Sequence, residues 1–167
     1  ILEPYFSLKL VNPYFIKQLP GKKSDVKDAE WIAICLLKDL IRGSYVPEDR
    51  IQQLRQYDRR IFDLNKDIVY KLTKLDAALQ RCNIRLSNYV SATDGKSYQK
   101  VVEKISDGVT DPKVLTGLIH GRILNRVGKD IITASLSGVV TQTDIDVIRQ
   151  IRDEVTLAQK HRRECLD

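Results

Sequence analysis

The chain of 167 residues contains no methionine, one tryptophan, three cysteines and two histidines, and each scarcity removes a class of chemistry. Cys35, Cys82 and Cys165 are odd in number and far apart, and neither they nor His120 and His161 form a C-x-x-C or H-x-x-H pair. Zinc-ligand spacing is therefore missing. Scattered thiols read as reduced cysteines of a cytoplasmic protein, because disulfides belong mainly to oxidising compartments. No apolar run approaches the ~20 residues that a helix needs to cross a bilayer, and no cationic, apolar leader opens the sequence, so no membrane partner is expected. There is no phosphate-binding glycine loop and no G-x-S-x-G nucleophile turn. The start at Ile1 without any methionine predicts an internal segment of a longer protein.

What is present supports a packed protein. Hydrophobic residues make up 43% of the chain, enough for a real core. The net charge of +6, from 28 basic and 22 acidic residues, permits a polyanionic partner without requiring one.

Apolar and polar residues alternate from Phe6 to Val11, which predicts a strand ended by Asn12-Pro13; a second short strand fits Tyr45-Val46. "PYFIKQL" suits a short helical turn. Ser24 is a good N-cap, Asp25 and Asp28 put negative charge in the first turn, and Trp31 to Leu37 continue as a strongly apolar helix expected to stop near Gly43. From Glu48 to about Leu86 no Gly or Pro interrupts a heptad pattern. One row is Leu54, Ile61, Ile68, Leu75 and Cys82; the other is Ile51, Asp58, Asn65, Leu72, Leu79 and Leu86. Such a helix would span roughly 55–60 Å, and its apolar stripe needs a partner. Thr141 and Asp144 have capping-box spacing. They open a second stripe of Ile145, Ile148, Ile151, Val155 and Ala158, expected to pack antiparallel on the long helix or to pair with another copy. Between the two lies an insert, 87–140, with room for helices at 96–107, 112–120 and 128–137. Asp111 is placed to cap the second of these, and Pro112 suits its first position. Val101, Val102, Ile105, Val114, Leu115, Ile131, Ile132 and Leu136 are among its expected core residues.

Two clusters carry candidate chemistry. Asp25 and Asp28 are three apart, so on a helix they share a face with Cβ atoms ~5–6 Å apart. They suit either a shared divalent cation, with substrate phosphate and water completing a magnesium shell, or the acidic start of an ordinary helix. Lys17, Lys22, Lys23 and Lys27 surround them and suit a phosphodiester backbone. In "LRQYDRR", Arg55 and Arg59 lie one turn apart, with Arg60 beside them and Tyr57 and Lys66 near. They suit nucleic-acid phosphates with Tyr57 stacking on a base, or a solvated face paired with Asp58 and Asp63.

The run "LVNPYFIKQLPGKKSDVKDAEWIA", Leu10 to Ala33, resembles a signature of the bacterial insertion-sequence transposases of the IS110 group, whose Lys-x-x-Asp-x-x-Asp-Ala block is specific. The resemblance continues through "GSYVPEDRIQQLRQYDRR" and "LDAALQRCNIRLSNYVSATDGKSYQKVVEKISDG" and weakens after about Gly138. It implies a mainly α segment in two parts. Residues 1–46 would be the C-terminal part of an RNase-H or RuvC-like α/β domain, with one or two strands and one helix. Residues 47–167 would be a coiled-coil domain carrying the helical insert. Asp25 and Asp28 would be the last two acids of an Asp-Glu-Asp-Asp set that binds magnesium for DNA strand cleavage and transfer. The long helix would make a homo-oligomer and contact a guide RNA. The family's first Asp and its Glu are expected before Ile1, and a serine domain downstream, so the segment is expected to be inactive alone. "NKDIVYKLTKL" lacks an Asn-Arg pair common in relatives. Two other readings are a non-catalytic RNA-binding and oligomerisation module, and a Holliday-junction-type nuclease.

Overall fold

The computed structural model describes residues 4–18 and 25–167, with the side chains of 25–27 outside that description. The described protein is mainly α-helical. It divides into two compact units, Ile1–Leu54 and Arg55–Asp167.

The first unit holds α1 (Pro13–Gln18) and α2 (Asp25–Leu37). Asn12 opens α1: its Oδ1 accepts from the Tyr14 amide at 2.9 Å, and Pro13 occupies the first helical position, where a missing N–H costs nothing. The α2 helix ends at Leu37, not near Gly43. Asp39 adopts φ 51°, its N–H donates to the Leu36 carbonyl at 3.1 Å, and the Leu40 N–H reaches back to the Cys35 carbonyl at 2.9 Å. That pair of bonds is the Schellman termination, made here by an aspartate instead of glycine. The Lys9 ammonium sits 2.8 Å from the Asp39 carboxylate and holds its pKa below the usual value.

The expected strands at 6–11 and 45–46 do not form among the described residues. One backbone bond joins the segments, from the Ser44 N–H to the Leu10 carbonyl at 2.7 Å, and a single bond does not make a ladder. Cys35 and Ile41 are buried, while Tyr5, Phe6, Leu8, Leu10, Ile32, Leu36 and Leu37 are exposed.

The second unit is built on α3 (Asp49–Arg81), whose residues through Leu54 belong to the first unit. Its 33 residues span ~50 Å. It stops before the expected Leu86 because Asn83, at φ 62°, repeats the same termination: Asn83 N–H to Gln80 at 2.9 Å and Ile84 N–H to Leu79 at 3.0 Å. Here the motif is completed by an apolar contact, since Ile84 and Leu79 are both buried.

The insert follows as a 3-10 turn at Leu86–Asn88, then α4 (Lys96–Ser106), α5 (Pro112–Thr116), α6 (Gly121–Val127) and α7 (Lys129–Ser135). Asp111 caps α5, accepting from the Lys113 amide at 2.9 Å. The single helix expected at 112–120 stops at Thr116, and α6 was not foreseen. Its cap is His120, whose Nδ1 accepts from the Arg122 amide at 3.1 Å, a role that Ser, Thr, Asp or Asn usually signals in sequence. Of the expected insert core, Val114 and Ile131 are instead 51% and 49% exposed.

The chain closes with α8 (Gln142–Glu164), started by a complete Thr141–Asp144 capping box. Its Glu154 carboxylate lies 2.7 Å from Lys71, and Arg162 donates to the Asn65 side-chain carbonyl at 3.0 Å. As α3 advances from 65 to 71, its partners step back from 162 to 154, so the helices run antiparallel. One continuous core joins Leu64, Ile68, Leu72, Leu75 and Leu79 of α3 to Ile148, Val155 and Ala158 of α8 and to the insert. The insert is therefore not a separate body. Arg149 of α8 donates to the Ser106 carbonyl at the end of α4, and Tyr98, fully buried, donates to Asp76 at 2.8 Å.

Candidate metal and nucleic-acid site

Asp25 and Asp28 both fall in the first turns of α2. The Asp28 side chain is exposed, so its carboxylate is open to an ion or to solvent. Among the described residues no three His, Cys, Asp or Glu side chains gather into a metal-binding group. Two carboxylates one turn apart would fit magnesium only as part of a shell that water and phosphate oxygens complete. Lys17 lies exposed at the end of α1. Lys22, Lys23 and Ser24 lie outside the described residues, as does the Lys27 side chain.

In the same unit a groove of about 700 Å³ runs between α1 and residues 40–45, lined by Phe15, Ile16, Leu40, Ile41 and Tyr45, with Arg42 as its charged member. It offers shape and apolar surface but no acid.

The arginines behave differently from a neutralised helix face. Every α3 residue from Arg55 to Arg60 is exposed. Among the described residues, neither Asp58 nor Asp63 forms an ion pair with Arg55, Arg59 or Arg60. At 3.6 residues per turn, Arg55 and Arg59 share a face and Arg60 projects about a quarter-turn away. Asn65, a polar break in the heptad row, is used by Arg162 of α8.

The arginine face continues along α3. Phe62 is 57% exposed with the Lys66 ammonium 4.2 Å from its ring centre, and Tyr70 is 57% exposed with Lys74 at 4.6 Å. Sequence reasoning named Lys66 and missed Phe62, Tyr70 and Lys74. The signal lies in the four-residue spacing of each aromatic and its lysine, on the side of the helix opposite the heptad rows.

Cys35, Cys82 and Cys165 are free, and burial pushes the Cys82 pKa up, away from the thiolate that oxidation and metal binding require. No helix among the described residues is long and apolar enough to cross a membrane.

Residues 2–84 match a family model described as a transposase, that of the DEDD transposases of the IS110 group. No curated protein and no solved structure matches the chain.

Proposed function

The chain belongs to the IS110-group family of DEDD transposases, and we propose that it is the part of a magnesium-dependent DNA recombinase in which Asp25 and Asp28 supply two of the metal-binding carboxylates. The family implies interaction with DNA. The observation that carries the finer reading is the placement of both aspartates in the opening turns of α2, with Asp28 exposed, inside the matched residues.

The division of labour follows from charge. Asp25 and Asp28 would hold the cation between them through one oxygen or two each. When bound, magnesium draws charge from the phosphoryl oxygens and so lowers the barrier to attack at phosphorus. Lys17, Lys22, Lys23 and Lys27 would offset the repulsion between these carboxylates and a phosphodiester backbone. The positive end of α2 adds to the same field. Two carboxylates alone hold magnesium weakly, because each further anionic ligand adds both charge and geometry. Strand cleavage by this segment on its own is accordingly expected to be absent. The RuvC-like architecture of residues 1–46 is part of the same proposal, supported by the family match.

The test is strand transfer by the complete recombinase that carries this segment. Asp25→Ala and Asp28→Ala should each abolish transfer while leaving DNA binding in place. Transfer that survives both substitutions would return the pair to the role of a helix start.

A second reading concerns the segment as it stands: a module that oligomerises through α3 and holds a guide RNA on Arg55, Arg59 and Arg60. It is favoured by the exposure of those arginines without carboxylate partners. RNA affinity resting on them should fall steeply with salt, as counterion release demands.

A further inference from the structure

We infer that the outward face of α3 is a stacking platform for an unpaired DNA strand, with Phe62 and Tyr70 as the base-stacking residues. This rests on the reading that Arg55 and Arg59 hold nucleic-acid phosphates, and it names which kind of strand they hold.

The argument begins with helical phase. At 3.6 residues per turn, Arg55, Arg59, Phe62, Lys66 and Tyr70 fall within a sector of about 80°, opposite the stripe that Leu64, Ile68, Leu72 and Leu75 bury in the core. From Arg55 to Tyr70 the strip runs ~22 Å along the axis. Two arginines open it, and Phe62, Lys66 and Tyr70 follow in turn. Both rings are more than half exposed although their apolar area would normally be covered. Asp58, Asp63 and Asp67 flank the strip without ion-pairing to its cations.

The chemistry selects the occupant. Cations spaced one and two turns apart suit a backbone of phosphates, and rings set among them suit bases whose faces are free. A duplex has its base faces already stacked and offers none to a ring; an unpaired strand offers one per nucleotide. A second copy of this helix is the poorer fit, because docking it here would strip water from Arg55, Arg59 and Lys66, a cost that the other copy's Asp58, Asp63 and Asp67 repay only with good pairing geometry. The apolar row Leu54, Ile61, Ile68 and Leu75 lies on the other side of the helix, where Ile68 and Leu75 are already buried in the core. DNA is the strand assigned because the family acts on DNA, and cleavage and transfer leave strand ends unpaired.

Fluorescence anisotropy with the 167-residue chain decides it, using labelled oligothymidine, a duplex of equal length and oligouridine. Oligothymidine should bind at least about tenfold more tightly than the duplex, and Phe62→Ala and Tyr70→Ala should each weaken it by roughly tenfold. Tyr70→Phe should keep the affinity, and the helical circular dichroism of all three variants should match the parent. A duplex bound as tightly as the single strand would overturn the inference. So would full affinity in both alanine variants; if Arg55→Gln and Arg59→Gln then still abolish binding, the arginine reading stands and only the stacking fails. Oligouridine bound tenfold more tightly than oligothymidine would overturn the DNA assignment and return the face to the guide RNA. Unchanged binding in the arginine variants would remove the underlying reading itself.

Discussion

Two helices of this protein end with the same backbone motif and lead to opposite outcomes. After α2, Asp39 takes the left-handed conformation and delivers Leu40, which is 53% exposed. After α3, Asn83 does the same and delivers Ile84, which is 1% exposed against an equally buried Leu79. Local chemistry is shared; what differs is whether a core exists to receive the next side chain. In residues 55–167 the turn aims the chain into a continuous apolar cluster. In residues 1–54 it aims the chain along a surface where Ile32, Ile34, Leu36 and Leu37 are also exposed. A helix apolar on most sides is suited to burial, so the exposed apolar sides of α2 are suited to packing.

That contrast can be tested by substitution. The largest effect is expected from Leu75→Ala, at a fully buried position in the C-terminal half of α3. It should cost about 2–5 kcal/mol in denaturant unfolding, whereas Leu37→Ala, 88% exposed in the other unit, should stay within about 0.5 kcal/mol. Comparable losses at both positions would erase the distinction between the units.

Next in size is Gly138→Ala. A Cβ at Gly138 would collide with the Cys82 carbonyl, where the return from α7 passes the end of α3 and Val139 donates to that same oxygen at 3.1 Å. Overpacking of this kind costs about 1–3 kcal/mol, and thermal unfolding should report it. Asn83→Ala should follow at about 1–2 kcal/mol, since alanine resists positive φ. Asp39→Ala should leave the unfolding of residues 55–167 unchanged. Asn83→Gly, which accepts the geometry, should restore most of the loss.

The smallest effect depends on pH. Hydrogen bonds from the Thr141 hydroxyl and backbone N–H hold the Asp144 carboxyl below its usual pKa of 3.8. A group with a lowered folded pKa contributes stability that is present above the unfolded value and lost as pH falls through the folded one. Asp144→Asn should therefore be less stable than the parent at neutral pH, and the gap should close as the solution is taken below pH 3.8. A gap independent of pH would mean that the carboxylate charge is not what the cap uses.

Much of the helical unit was legible beforehand because its signals are local. The capping box, Asp111-Pro112 and the stripe of α8 each depend on residues within a few positions of one another. The antiparallel pairing of α3 and α8 followed from two apolar stripes in need of each other. The failures share a cause as well. Alternation at Phe6–Val11 marks residues able to form a strand, but a strand exists only by its neighbours, and among the described residues one bond from Ser44 is all that meets it. Asp39 ended α2 six residues after Trp31 because an aspartate can take the conformation that sequence reading assigns to glycine. At the candidate site, the spacing of Asp25 and Asp28 taken alone favours the start of a helix over a metal site. The family match supplied the direction, and the fold adds that Asp28 is accessible.

The most direct measurement is a magnesium titration of the chain followed by amide NMR. The proposal predicts weak, saturable shifts confined to the first turns of α2 and lost in Asp28→Ala. Shifts absent from those residues, or unchanged by the substitution, would contradict the assignment of Asp25 and Asp28 as metal carboxylates.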